Sequence, residues 1–329
     1  MRALGTTRPP RSKQNRWVMT GLALVLTAGL AGCGSSDAAD DADASSDASY
    51  PLTVKTSHGD VTIEKAPQRV VALGAATADE LISLGIAPVK VAADPDTVEA
   101  QTPWMADELA EIADGSLMND KGELNVEAVA AAEPDLIIGE PWQVADKGVF
   151  DQLNDIAPTV SAASQDLNVN WDVRLLKTAE AVDRTDEAKT LISQIQKEFA
   201  AVGDTVPDIS SKTYQWVRVD PDAFGFGNGS MFELFGLKPA ENQDNSQNGA
   251  PLSKEKTSEL DADLLAIWAP TEDLRASLDD DKLFQALPAV KNGTVYYAGL
   301  DFAIAINSPA PMALRWIKDQ LKPTIEALG

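Results

Sequence analysis

The side chains that most often carry covalent chemistry are nearly missing from this sequence. Its 329 residues include one cysteine, Cys33, and one histidine, His58. Cys33 lies near the start, and His58 falls in a predicted hairpin turn. Neither a Cys–His nor a Ser–His pairing can be assembled around them. A bare transition-metal site built on imidazoles is excluded on the same count. Gly225-Phe226-Gly227-Asn228-Gly229 precedes a helical segment and has the look of a phosphate loop. It has neither nucleotide-fingerprint spacing nor a Lys-Ser/Thr ending, so it reads as a turn. A pair of carboxylates working on a glycoside survives as the enzyme-class alternative.

The remaining candidates for chemistry are aromatic rings and a few cations. Trp216 and Arg218 stand two apart in an apolar run and therefore share one face of a strand. Phe224 and Phe226 follow them, and Trp268 ends another apolar run. Trp104, Trp142, Tyr297 and Phe302 fall in or just after other predicted strand ends. Rings of this kind stack on a ligand, and a guanidinium donates to paired oxygens through a planar fork.

The elements that must position these residues come in two sets. Leu52 to Ile63 alternates around His58-Gly59 as a hairpin. Val70–Gly74, Val89–Val91, Leu136–Gly139 and Pro158–Val160 read as short buried strands, with helices over Thr77–Leu84, Asn125–Ala132 and Val149–Ile156. Two longer helices follow, Trp171–Val182 and Thr185–Val202. The second keeps Ala188, Leu191, Ile192, Ile195 and Phe199 at helical spacing. It would span about 27 Å, enough to join two lobes. The strand-and-helix pattern then restarts, with strands at Thr213–Val219, Leu264–Trp268 and Thr294–Tyr297. Helices are predicted at Met231–Phe235, Ser253–Leu260, Leu283–Leu287 and Pro311–Leu328. Strands alternating with helices give an α/β class with mainly parallel sheets.

The start of the chain has a different character. Arg2, Arg8, Arg11, Lys13 and Arg16 precede an apolar run from Trp17 to Leu30, which ends in Leu30-Ala31-Gly32-Cys33. This is the order of a secretory signal peptide, and the run is shorter than the ~20 residues of a membrane span. The last four residues resemble the lipobox of bacterial lipoproteins. That resemblance implies cleavage before Cys33, diacylglycerol on its sulfur, and a place on the outer face of the plasma membrane. Residues 34 to 49 are almost wholly Ser, Asp, Ala and Gly, as expected of a tether. Removal of the five leading cations takes the formal charge from −24 to −29. So acidic a body excludes nucleic acid as a partner.

The order of short segments resembles one family. Pro67-Gln68-Arg69-Val70-Val71-Ala72-Leu73 is followed by Asp79-Glu80-Leu81-Ile82-Ser83-Leu84-Gly85. Further on come Asn125-Val126-Glu127, Glu133-Pro134-Asp135-Leu136, Val290-Lys291-Asn292-Gly293-Thr294-Val295-Tyr296 and Ser308-Pro309. Together they resemble the periplasmic-binding proteins that serve ferric siderophores, haem and cobalamin. The resemblance implies two Rossmann-like α/β lobes joined by a single long helix, the class III fold of such proteins, with ligand held between the lobes. The implied division is a signal peptide at 1–32, a lipidated tether at 33–50, a first lobe at 51–165, linking helices at 166–203 and a second lobe at 204–329.

With that fold, the ligand is expected to be an iron(III)-siderophore chelate gripped by Trp104, Trp142, Trp216, Arg218, Phe224, Trp268, Tyr297 and Phe302. No cofactor and no directly bound metal are expected. Few cations sit at predicted loop tips, Lys147 and Arg275 among them, so a neutral or cationic hydroxamate is preferred over catecholates or ferric citrate. Haem stays open because Tyr297 could serve as an axial ligand, and cobalamin and ferric citrate also remain alternatives. The resemblance further implies that a monomer docks on the permease dimer of an ABC importer through one glutamate per lobe, here Glu127 and Glu255.

Overall fold

The computed structural model describes residues 49–119, 121–162, 169–246 and 249–329. The segments expected to form a signal peptide and a tether, Cys33 included, lie almost wholly outside the described residues. After an antiparallel hairpin, β1 (Leu52–Thr56) and β2 (Gly59–Ile63), the chain enters a parallel sheet. This holds β3 (Val70–Ala72), β4 (Lys90–Val91), β5 (Leu136–Ile138) and β6 (Thr159–Val160) in the order β4-β3-β5-β6. β3 and β5 are buried along their whole length, as continuous apolar runs between helical layers must be. Between the strands run α1 (Ala75–Ser83), the short α2 (Val98–Gln101) and α3 (Ala106–Leu109), α4 (Val126–Ala131) and α5 (Lys147–Ile156). His58 anchors the hairpin to this lobe: its Nε2 lies 2.7 Å from the Val144 carbonyl oxygen and its ring packs on Phe150.

α6 (Trp171–Ala181) and α7 (Thr185–Gly203) follow. α7 has 19 residues, about 28 Å of helix. It packs on α6 at one side and, at the other, on a short 3-10 helix, Ser230–Phe235, that belongs to the second lobe. Phe199 and Phe235 meet there with ring centroids 4.6 Å apart.

The second sheet is mixed. Its main path runs β10 (Leu252–Ser253), β8 (Ala223–Phe226), β7 (Thr213–Val219), β11 (Leu264–Trp268) and β12 (Val295–Ala298), with β9 (Lys238–Pro239) beside β7. β7, β11 and β12 are parallel, and β8 returns antiparallel to β7. The segment expected to be only a glycine-rich turn is thus partly a strand. Gly227 follows it because a Cβ there would overlap the Trp216 indole. The remaining helices are α8 (Glu272–Asp280), α9 (Lys282–Gln285), α10 (Pro288–Asn292), α11 (Leu300–Asn307) and α12 (Pro311–Glu326). Sequence periodicity had not revealed α8 or α11.

Candidate ligand-binding cleft

Parallel strands leave their carboxyl ends and following loops on one edge, where open α/β sheets bind ligands. Two chambers lie at these edges. The first, about 250 Å³, is walled by Leu73, Gly74 and Ala75 after β3, by Glu140, Trp142 and Gln143 after β5, and by Trp104. The second, about 470 Å³, is walled by Trp216, Arg218 and Asp220 of the β7 end, Trp268 of the β11 end, and Leu300 and Ala303. Ile304 and Asn307 of α11 line both, so the chambers meet along one helix.

Strand parity explains the second chamber. Trp216 and Arg218 project to one face of β7, while Val217 and Val219 enter an apolar core on the other. Register places Arg218 opposite Trp268 on the neighbouring strand. The guanidinium carbon lies 5.7 Å from the centroid of that indole. Arg218 Nη2 also reaches Asp220 Oδ1 at 3.1 Å, yet more than half of its side chain is exposed. Trp216 forms the floor and is almost fully buried. Arg218 is the one cation among the described residues that line either chamber.

Trp104, Trp142, Trp216, Arg218 and Trp268 therefore all line the cleft. Three other expected site residues do not. Phe224 pairs with Val219 in register and follows it into the core, fully buried beneath the Lys254 ammonium. Phe302 lies on the inward side of α11, fully buried against Trp216, Tyr296 and Trp316. It is Leu300, Ala303, Ile304 and Asn307 of that helix that face the chambers. Tyr297 pairs with Ile267, on the sheet face opposite Trp216. Its ring is covered by Arg275 at 3.7 Å, and it lines neither chamber. Glu140, Gln143 and Asn307 had not been singled out. Glu140 and Gln143 flank Trp142 in the loop after a buried strand, and that position alone could have signalled them.

A polar seam joins the two lobes behind the first chamber. Arg174 of α6 donates from Nε to Glu80 at 3.1 Å and from Nη2 to the Pro309 carbonyl at 2.6 Å. Thr178 donates to the other oxygen of Glu80. Ser308 donates its hydroxyl proton to Glu140, and Asp79 accepts two backbone N–H groups from the start of α12. Burial pushes the Asp79 carboxyl up to about 7 against the pull of those two bonds. Burial also raises Glu80, with the Arg174 charge opposing.

Two α/β lobes, one long helical joint and a ligand-sized cleft at the strand ends define a solute-binding protein. The model of the family described as periplasmic binding protein matches residues 70–301, and this chain belongs to that family. A similar relative is the probable siderophore-binding lipoprotein YfiY of Bacillus subtilis. It is 30% identical over 295 residues, covering 81% of this chain and 85% of the relative. The Fe(3+)-citrate-binding protein YfmC of the same organism is 26% identical, covering 83% and 85%. Among solved structures, a periplasmic solute binding protein from Mycobacterium smegmatis superposes with a TM-score of 0.71 at 25% identity. That match covers 84% of this chain and 99% of the other.

Proposed function

We propose that this protein captures a ferric siderophore outside the cell and passes it to an ABC importer. The observation that carries the reading is the second chamber, where Trp216 and Trp268 flank the exposed guanidinium of Arg218. Stacking surfaces beside a planar double donor suit the oxygen-rich surface of an iron chelate. The names of the Bacillus subtilis relatives, one a siderophore-binding lipoprotein and one a ferric citrate-binding protein, point the same way.

The charge of the lining separates these two ligand types. Glu140 and Asp220 are two acids against the single cation Arg218, with the fully buried Asp79 behind them. A neutral or cationic hydroxamate fits that balance. Ferric citrate, favoured by the name of one relative, would bring negative charge to an acidic wall at a Coulombic cost. The remainder of the reading rests on the leader and on the two exposed helix-start glutamates. The protein is held by lipid on Cys33 at the outer face of the plasma membrane, and it docks as a monomer on the permease dimer through Glu127 and Glu255.

The test is a fluorescence and calorimetric titration of the purified mature protein with a panel of iron-loaded siderophores. A ferric hydroxamate should quench tryptophan emission and bind. Arg218→Ala should weaken that binding by about 1.5–3 kcal/mol, the range for a hydrogen bond to a charged group. If Arg218→Ala and Trp216→Ala both leave the affinity unchanged, this chamber is not where the chelate sits.

A further inference from the structure

The first chamber has a different chemistry from the second. No cation lines it, and it holds two deeply buried carboxylates: Asp79, whose oxygens are both taken by the start of α12, and Glu140, which is 7% exposed. One oxygen of Glu140, Oε2, accepts the Ser308 hydroxyl and lies 3.8 Å from Arg174 Nη1. The other, Oε1, carries no hydrogen bond among the described residues and faces the Gly74 side of the chamber. Trp142 stands beside it with 49% of its surface exposed, an unusual fraction for an indole.

Glu140 has one nearby cation among the described residues, and shares it. Asp79, Glu80 and Glu140 converge on one seam, and Arg174 is the one cation among the described residues in contact with them. That guanidinium is already committed to Glu80 and to the Pro309 carbonyl. A mostly buried carboxylate whose one free oxygen opens on a chamber is a ready acceptor for a cation that enters it. An exposed indole next to a carboxylate is the pairing that holds organic ammonium groups.

We propose that the first chamber is an ammonium subsite. It receives a protonated amine carried by a ferric chelate whose iron-bearing body lies in the second chamber against Trp216, Arg218 and Trp268. The two chambers share Ile304 and Asn307 as a common wall, so a ligand reaching over these two side chains can enter both. A chamber of about 250 Å³ accommodates an aminoalkyl tail but not a second chelate of drug size. The ammonium brings a positive charge beside Glu140 and donates a hydrogen bond to its Oε1.

The inference rests on the ferric-chelate reading, and one experiment separates their failures. The mature protein is titrated with a linear ferric trihydroxamate bearing a free terminal amine, and with the same chelate N-acetylated. The wild type should bind the free amine at least about ten-fold tighter, the scale of one charge-assisted bond. Glu140→Gln should remove most of that difference, because only the amine form loses an anionic partner. The glutamine oxygen can still accept from Ser308, and a far-UV circular dichroism spectrum and thermal midpoint matching the wild type show that the fold is intact. Trp142→Leu should shrink the preference several-fold without touching the Ser308 bond. Equal affinity of the wild type for the two chelates, or a preference that survives Glu140→Gln, overturns the subsite. If neither chelate binds, the ferric-hydroxamate reading itself falls and takes the subsite with it.

Discussion

Asp79 accepts the backbone N–H of Met312 at 2.9 Å, across 233 residues of sequence. Its second oxygen accepts Ala313 N–H at the same distance. A helix leaves its first N–H groups without partners, and a carboxylate is favoured at that end. Here the carboxylate comes from α1 of the first lobe and the helix is α12, so the cap also ties the two ends of the molecule together.

This cap carries a pH signature. The folded carboxyl titrates at about 7, above the ordinary 3.8 that it recovers on unfolding. Between those values the folded protein holds the extra proton, so stability falls as pH rises from about 4 through about 7 and is level beyond. Thermal midpoints of the wild type should therefore drop across that window. Asp79→Asn should flatten the drop and lie lower at the acid end, because its amide N–H₂ cannot accept from one of the two backbone donors. Glu80 is raised too, but it is present in both proteins and leaves the comparison intact. Parallel midpoint curves for the two proteins would remove Asp79 as the titrating group.

Arg174 is the cation of the buried seam, and deleting it should be costly. Arg174→Met leaves the buried Glu80 carboxylate with only the Thr178 hydroxyl, a loss of about 3–5 kcal/mol in urea unfolding. The double substitution Arg174→Met, Glu80→Leu should regain much of that, since an apolar pair replaces an ion pair at little net cost. A double variant no more stable than Arg174→Met would place the value of Arg174 in its bond to Pro309 instead.

The residues that could be read from sequence are those whose position follows from local periodicity. β7 and β11 run over the very spans expected, because β11 is an unbroken apolar stretch and β7 is rich in aromatic and β-branched residues. The same period of two puts Trp216 and Arg218 on one face from sequence alone. Phe224 reads from sequence as part of a glycine-rich turn; it lies instead in β8, where its pairing with Val219 turns it into the core. α11 was missed because Phe302-Ala303-Ile304-Ala305-Ile306 is apolar on all sides, with no polar stripe to mark a helix. The seam could not be seen at all, since Glu80 and Arg174 stand 94 residues apart and no local pattern couples them.

The lipid anchor can be tested without the cleft. Leu30-Ala31-Gly32-Cys33 offers one thiol at the cleavage point, and no other cysteine exists to replace it. Two acyl chains hold a protein firmly where one does not. Cys33→Ser should move the protein from the membrane fraction into the medium and remove labelling by a fatty-acid analogue. Retention of the variant on the membrane through an uncut leader would refute lipidation as the anchor.

Glu127 and Glu255 occupy matching places in the two lobes. Asn125 caps α4 by accepting the Ala128 N–H at 3.3 Å, and Glu127 is the second residue after that cap. Ser253 caps a 3-10 helix, Lys254–Glu259, by accepting the Glu255 N–H at 3.4 Å, and Glu255 is again the second residue after the cap. Both are exposed, and each helix leads into a buried strand, β5 or β11. The helix dipole alone favours an acid at such a position, so the repetition in both lobes is what argues for a partner. An exposed pair is worth little in water. A glutamate–arginine contact desolvated at an interface can be worth several kcal/mol. Glu127→Ala with Glu255→Ala should leave chelate affinity and thermal midpoint within error of the wild type. In cells that depend on this receptor, held at limiting amount, the double variant should cut uptake of the ferric chelate at least about ten-fold, as a loss of more than 1.4 kcal/mol in docking requires. Each single variant should fall between. Undiminished uptake by the double variant would show that these two carboxylates do not dock the protein, and that helix capping alone accounts for their places.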